Sequence, residues 1–127
     1  MTTRRALDTA AAPRPIGPYS QAIAAGDLVF CAGQIGLDPV TGRLVAGGAV
    51  AEAERACENL RAVLAAAGLT LAAVVKTTVY LVDLADGPPV GEVYSRYFAP
   101  PHPARATVQV AALPAGARIE IDAIAVR

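Results

Sequence analysis

Pro103-Ala104-Arg105-Ala106-Thr107-Val108-Gln109-Val110, followed after a short gap by Ile119-Glu120-Ile121, is the stretch that decides the fold. Both pieces alternate with period two, as half-buried β-strands do. In the first, Arg105, Thr107 and Gln109 share one face and Ala106, Val108 and Val110 the other. In the second, Arg118, Glu120 and Asp122 lie opposite Ile119, Ile121 and Ala123. Leu113-Pro114-Ala115-Gly116-Ala117 supplies turn residues between them, which predicts an antiparallel hairpin. A guanidinium and a carboxylate then project from rigid strands, a platform suited to holding an anion and moving a proton. By alternation alone, the two groups read as solvated charges on an amphipathic sheet.

If that hairpin folds about Ala115, Glu120 falls opposite Val110, five residues from Arg105. At the strand rise that is roughly 17 Å, too far for both side chains to reach one small molecule. A second subunit would have to bring the two groups together.

Working outward, Tyr19 to Ala25, the pair Gly26-Asp27, and Leu28 to Gln34 form a second predicted hairpin with a two-residue turn. The first dozen residues carry little pattern, and Ala10 to Pro15 reads as an extended lead-in. Asp38-Pro39-Val40-Thr41-Gly42 signals a turn. From Ala49 to Ala67 the period becomes helical: Ala53, Ala56, Cys57, Leu60, Val63, Leu64 and Ala67 make one stripe, with Glu52, Arg55, Asn59 and Arg61 mostly off it. Gly68 is placed to end that helix in the left-handed conformation. Val74 to Val82 is a β-branched, alternating strand. Asp86 is placed to cap a second helix with Pro88 and Pro89 in its first turn, an apolar stripe of Val90, Val93, Tyr94, Tyr97 and Phe98, and a stop at Pro100-Pro101. The order β-β-α-β-α-β-β predicts an α+β fold, a mixed sheet with two helices packed on one face.

With 127 residues the chain is long enough for one domain, spanning 1–127, with a real core. Apolar residues make up 54% of it and charged ones 17%, rich enough that part of the apolar surface needs cover from another subunit. The 11 basic and 11 acidic residues cancel, and no Lys/Arg block stands out, which argues against a general nucleic-acid or anionic-membrane surface. No apolar run is long enough to span a bilayer, and the two N-terminal arginines precede no apolar signal core, which points to the cytoplasm. Cys31 and Cys57 lack metal-ligand spacing and read as buried reduced thiols.

The Pro-Ala-Arg-x-Thr-Val-x-Val and Ile-Glu-Ile segments, with Ile16-Gly17-Pro18-Tyr19-Ser20-Gln21-Ala22, Ala32-Gly33-Gln34-Ile35 and Val75-Lys76-Thr77-Thr78-Val79-Tyr80-Leu81, resemble the Rid (YjgF-type) family over nearly the whole chain. The resemblance implies a chorismate-mutase-like sheet assembled as a homotrimer, with sites in clefts between subunits. It also implies hydrolysis of 2-enamino or 2-imino acids to 2-keto acids and ammonia. Arg105 would bind the substrate carboxylate bidentately, and Glu120 would deprotonate water and return a proton to the leaving ammonia. Tyr19 would close the cleft, while Gly33 and Thr107 would line the substrate. No metal or organic cofactor is needed, because the imine carbon is already electrophilic. Gly91 departs from the family pattern, which commonly has Asn there, and takes away a side-chain amide. His102, the lone histidine, sits between prolines in a loop and reads as exposed. Lys76 reads as a solvated lysine.

Three functions are set apart by these residues. An imine hydrolase, protecting pyridoxal enzymes from damage or completing a catabolic step, needs both Arg105 and Glu120. A non-catalytic module that binds small carboxylates needs Arg105 alone, and Gly91 favours it. RNA cleavage, reported for some family members, is disfavoured by zero net charge and the lack of a basic, aromatic strip.

Overall fold

The hairpin from Ala22 to Ile35 forms as its alternation dictates, closed by Gly26-Asp27, and it anchors one half of the sheet. In the computed structural model, which describes residues 3–127, six strands and two α-helices follow one another. They are β1 (Arg4–Leu7), β2 (Ala22–Ala25), β3 (Leu28–Ile35), α1 (Gly48–Ala66), β4 (Val74–Leu81), α2 (Gly87–Tyr97), β5 (Ala104–Gln109) and β6 (Ile119–Val126). One mixed sheet results, ordered β1-β2-β3-β6-β4-β5, parallel only between β4 and β5. β1 lies in the part of the chain where no pattern predicts a strand. Only Leu7 of its four residues is buried, so alternation leaves no signal there.

The expected hairpin between the last two strands does not form. β5 pairs parallel with β4, because α2 is the crossover that joins them, and β6 inserts between β3 and β4. The 110–118 loop therefore passes over the end of β4, tied there by Val110 N–H to Leu81 O at 2.8 Å and Val82 N–H to Arg118 O at 3.1 Å.

The helices lie together on one face of the sheet. There Leu60, Val63 and Leu64 of α1 and Val90 and Val93 of α2 bury against Val29, Val79, Leu81, Ile119 and Ile121. α1 ends in a Schellman motif: Gly68 has φ 75°, its N–H bonds Ala65 O, and Leu69 N–H bonds Leu64 O. Two residues expected on its solvent side are in fact buried. Asn59 is 0% exposed and donates Nδ2 to Ile35 O and Leu37 O, at 3.1 and 3.0 Å. Glu52 is 3% exposed and accepts the Arg118 backbone N–H at 2.7 Å. Both lie under loops that fold back over α1 and need their free backbone groups satisfied. Asp86 does not cap α2 by a side-chain hydrogen bond. Its carboxylate faces Arg118 Nε at 3.5 Å, and Asp83 caps the preceding turn through Ala85 N–H. Among the described residues, no helix is long and apolar enough to cross a membrane. Both cysteines are free and buried, and burial pushes their thiols up to about 11 for Cys31 and about 12 for Cys57.

Candidate active site

Glu120 alternates with Ile119 and Ile121, which face the helices, so its carboxylate emerges on the opposite, open face. There it pairs across the sheet with Tyr80 on β4 and Ile35 on β3. The β3–β6 ladder slips between Cys31 and Gln34, leaving Ala32 and Gly33 opposite Asp122 alone, a β-bulge. The bulge brings Gly33 against Glu120: a Cβ on Gly33 would lie 2.4 Å from Oε2. Gly33 thus serves by close approach rather than by an unusual backbone angle. Burial, with Asp122 two residues along the same face, pushes the Glu120 carboxyl above its ordinary 4.5. Asp122 itself is engaged, accepting from Thr78 N–H at 3.1 Å and from Tyr80 Oη–H at 3.0 Å.

Glu120, Gly33 and Tyr19 line one cavity of about 350 Å³. Tyr19 sits on its exposed rim, its hydroxyl accepting the Ile16 N–H at 3.4 Å and so shaping the 16–19 turn. That turn delays the strand predicted from Tyr19, and β2 begins only at Ala22.

Arg105 lies elsewhere. Its register partner is Thr77, whose hydroxyl meets Tyr94 Oη at 2.7 Å on the helix side of the sheet. The guanidinium lies 4.8 Å over the Tyr94 ring, which in turn stacks on Phe98 at 4.4 Å. Arg105 and Thr107 line a second cavity of about 250 Å³ with Gly91 and Tyr94. β5 is therefore inverted relative to a simple amphipathic strand: its charged residue faces the helix layer, and Val108, 40% exposed, faces out. Tyr94 was legible only as part of an apolar stripe. Its role as the stacking base for Arg105 carries no signal in that periodicity.

Within one chain the structure joins Tyr19, Gly33 and Glu120 and, separately, Arg105 and Thr107. It does not join the two sets. Arg105 and Glu120 are separated by β4, three residues out of step along it (Thr77 against Tyr80), and face opposite sides. Two strand spacings and three rises amount to roughly 10 Å across and 10 Å along. His102 is exposed as expected, near the Arg105 cavity, its Nδ1 3.0 Å from Phe98 O. Lys76 donates to Thr77 O and Thr78 Oγ1 at 3.3 and 3.2 Å.

Arg105 has no carboxylate partner among the described residues, and Glu120 has no cation. One is a free, pre-oriented anion fork. The other is a free carboxylate whose affinity for protons is raised.

The chain is similar to known proteins over nearly its whole length. A family model described as Endoribonuclease L-PSP matches residues 9–127. Protein DfrA of Myxococcus xanthus is 57% identical over 125 residues, covering 97% of this chain and 95% of that protein. A human protein named 2-iminobutanoate/2-iminopropanoate deaminase is 51% identical over 124 residues, covering 98% of this chain and 90% of its own length. The crystal structure of E. coli TdcF with bound serine superposes with a TM-score of 0.90 at 41% identity, covering 97% of this chain and 98% of that one.

Proposed function

The chain belongs to the Rid (YjgF-type) family, whose model carries the endoribonuclease L-PSP description, and on that premise we propose that it hydrolyses 2-enamino and 2-imino acids to 2-keto acids and ammonia. The observation that carries the proposal is the complementary pair of free groups, a guanidinium stacked on Tyr94 and a half-buried carboxylate with a raised pKa. Because they face opposite sides of one sheet, the site is completed by a second copy, in a homotrimer whose clefts set Arg105 of one protomer beside Glu120 of its neighbour. The exposed Phe30, Val108 and Val126 support such an assembly, since apolar side chains on sheet strands favour burial.

In that cleft Arg105 holds the substrate carboxylate by two parallel N–H···O bonds and so fixes the C=N carbon. Glu120 takes a proton from water as the oxygen bonds to that carbon, and the C=N π pair moves to nitrogen. With the imine nitrogen protonated at the outset, this gives a neutral carbinolamine. Glu120 returns its proton to that nitrogen, and the C–N bond breaks as a lone pair of the hydroxyl oxygen forms the C=O bond. The hydroxyl proton passes through the Glu120 carboxylate to the departing ammonia, leaving the 2-keto acid. Thr107 and Tyr19 line the two halves of the cleft, the first beside the carboxylate and the second over its mouth.

Depletion of semicarbazide-trapped imino acid, with the imine generated in situ by an amino-acid oxidase, tests this reading. The purified protein is expected to deplete the adduct, and Arg105→Ala and Glu120→Ala to abolish depletion. A second reading, a carboxylate-binding module without turnover, is favoured by Gly91, which offers no side chain to the Arg105 cavity. It replaces the first if no imino acid is consumed while 2-keto acids still bind in an Arg105-dependent way.

A further inference from the structure

The Glu120 cavity, about 350 Å³ within one chain, is lined also by apolar Ile16, Ile35 and Leu37. Apart from Glu120 its lining holds one charged group, Arg14.

Arg14 is set there by the chain beneath it. Gln21 is 2% exposed and spends its amide on the preceding segment. Its Oε1 accepts the Thr9 N–H at 2.8 Å, and its Nε2 donates to Thr9 O at 3.0 Å, Ala12 O at 3.4 Å and Pro13 O at 2.9 Å. Those bonds pin the backbone up to the residue before Arg14, and Pro13 and Pro15 restrict it on either side. Gln21 lines the cavity but has no amide hydrogen left over for a ligand.

The guanidinium, by contrast, is uncommitted. Among the described residues Arg14 forms no ion pair and donates no side-chain hydrogen bond. Asp8 shares a neighbouring cavity with it but lies beyond ion-pair distance. Nor does it pair with Glu120, with which it forms no ion pair. One mainly apolar cavity thus holds both an uncommitted guanidinium and the Glu120 carboxylate.

We infer that Arg14 selects 2-imino acids bearing a second carboxylate on the side chain, which it binds while Arg105 of the neighbouring copy holds the first. The inference rests on the imine-hydrolase reading and names its substrate class. A substrate clamped through its 2-carboxylate, with its C=N carbon at Glu120, directs its side chain into this cavity. A side chain ending in a carboxylate presents two oxygen acceptors that match the planar fork of Arg14.

The test compares 2-iminoglutarate with 2-iminobutanoate, each generated in situ by an oxidase, on the full-length protein, Arg14→Ala and Arg14→Lys. Arg14→Ala is expected to lower kcat/KM for 2-iminoglutarate about tenfold, chiefly through KM, and to leave 2-iminobutanoate within about twofold. Arg14→Lys is expected to restore part of the loss, a charge without the fork. Equal effects of Arg14→Ala on both substrates, or none on either, overturn the assignment while the hydrolase stands. Consumption of neither substrate by the unaltered protein overturns the hydrolase reading itself.

Discussion

A Cβ placed on Gly33 would sit 2.4 Å from Oε2 of Glu120 and 2.9 Å from its Cγ. The bulge at Ala32-Gly33 thus holds the carboxylate by leaving room for it, and a single methyl group at this position displaces the base. Gly33→Ala is expected to lower kcat/KM for imino-acid hydrolysis by about 10²-fold, the order associated with an ångström of misplacement. The colliding atoms belong to the movable end of a side chain, so thermal stability should change little. A drop of many degrees in Tm, with activity per folded molecule unchanged, would show that Gly33 serves the fold rather than Glu120.

Asp122 adds to the raised proton affinity of that carboxylate. Burial first, and the Asp122 charge second, raise the Glu120 carboxyl above 4.5. Glu120 accepts a proton only when ionised, so activity falls as pH drops through its raised pKa. Asp122→Asn removes the like charge, lowers the Glu120 pKa and moves the acid limb of the kcat/KM profile to lower pH. Asparagine keeps an acceptor for the Thr78 N–H, which limits structural side effects. Because the larger cause remains, the limb should not return fully to the ordinary carboxylate range. A limb that stays in place, or moves to higher pH, rules out control by Asp122.

Gly91 has open space around it. A Cβ there meets nothing within 4 Å, and the position borders the cavities that hold Arg105. Gly91→Asn therefore adds an amide to the Arg105 cavity without a clash. Within α2 it also replaces the residue least suited to a helix interior other than proline, worth a few tenths of a kcal/mol. The expected outcome is an unchanged or slightly raised Tm and a several-fold gain in kcat/KM for small imino acids. A loss of turnover with binding intact would mean that the cleft is built for a side chain which the amide obstructs.

What the sequence made legible divides along physical lines. The apolar stripe of α1 follows from the helical period, and its end follows from Gly68, because both are local. The strand pairing of β5 and β6 does not follow, since nearness in sequence favours a hairpin whereas the α2 crossover commits β5 to the far side of β4. Alternation likewise shows that Arg105 and Thr107 share a face but not which side of the sheet it is. The apolar Ala106 and Val108 suggest the wrong one, because in the structure the polar set faces the helix layer. Gln21, Asn59 and Glu52 escape a reading that places polar residues outside, for the backbone groups they bond lie 8 to 66 residues away.

Asn59 is the most deeply buried of these three. Fully buried on α1, it bonds the carbonyls of Ile35 and Leu37 and accepts Arg55 Nε at 3.0 Å, so it holds the chain where it leaves β3 beside the Glu120 cavity. Asn59→Ala leaves two carbonyls without their donors in a dry interior and opens a small void. The cost expected is about 2–4 kcal/mol, a fall in Tm on the order of 10 °C for a chain of this size. Asn59→Asp tests the donor specifically: it keeps the shape but sets an anion against two carbonyl oxygens, and should be at least as damaging. Because Ile35 and Leu37 line the cavity, residual activity in Asn59→Ala below its melting range should show a raised KM before a lowered kcat. Chemical denaturation of both variants, paired with steady-state kinetics at low temperature, checks each part. A stability within about 0.5 kcal/mol of the unaltered protein would mean that water replaces the amide and that the segment after β3 is held by its packing alone.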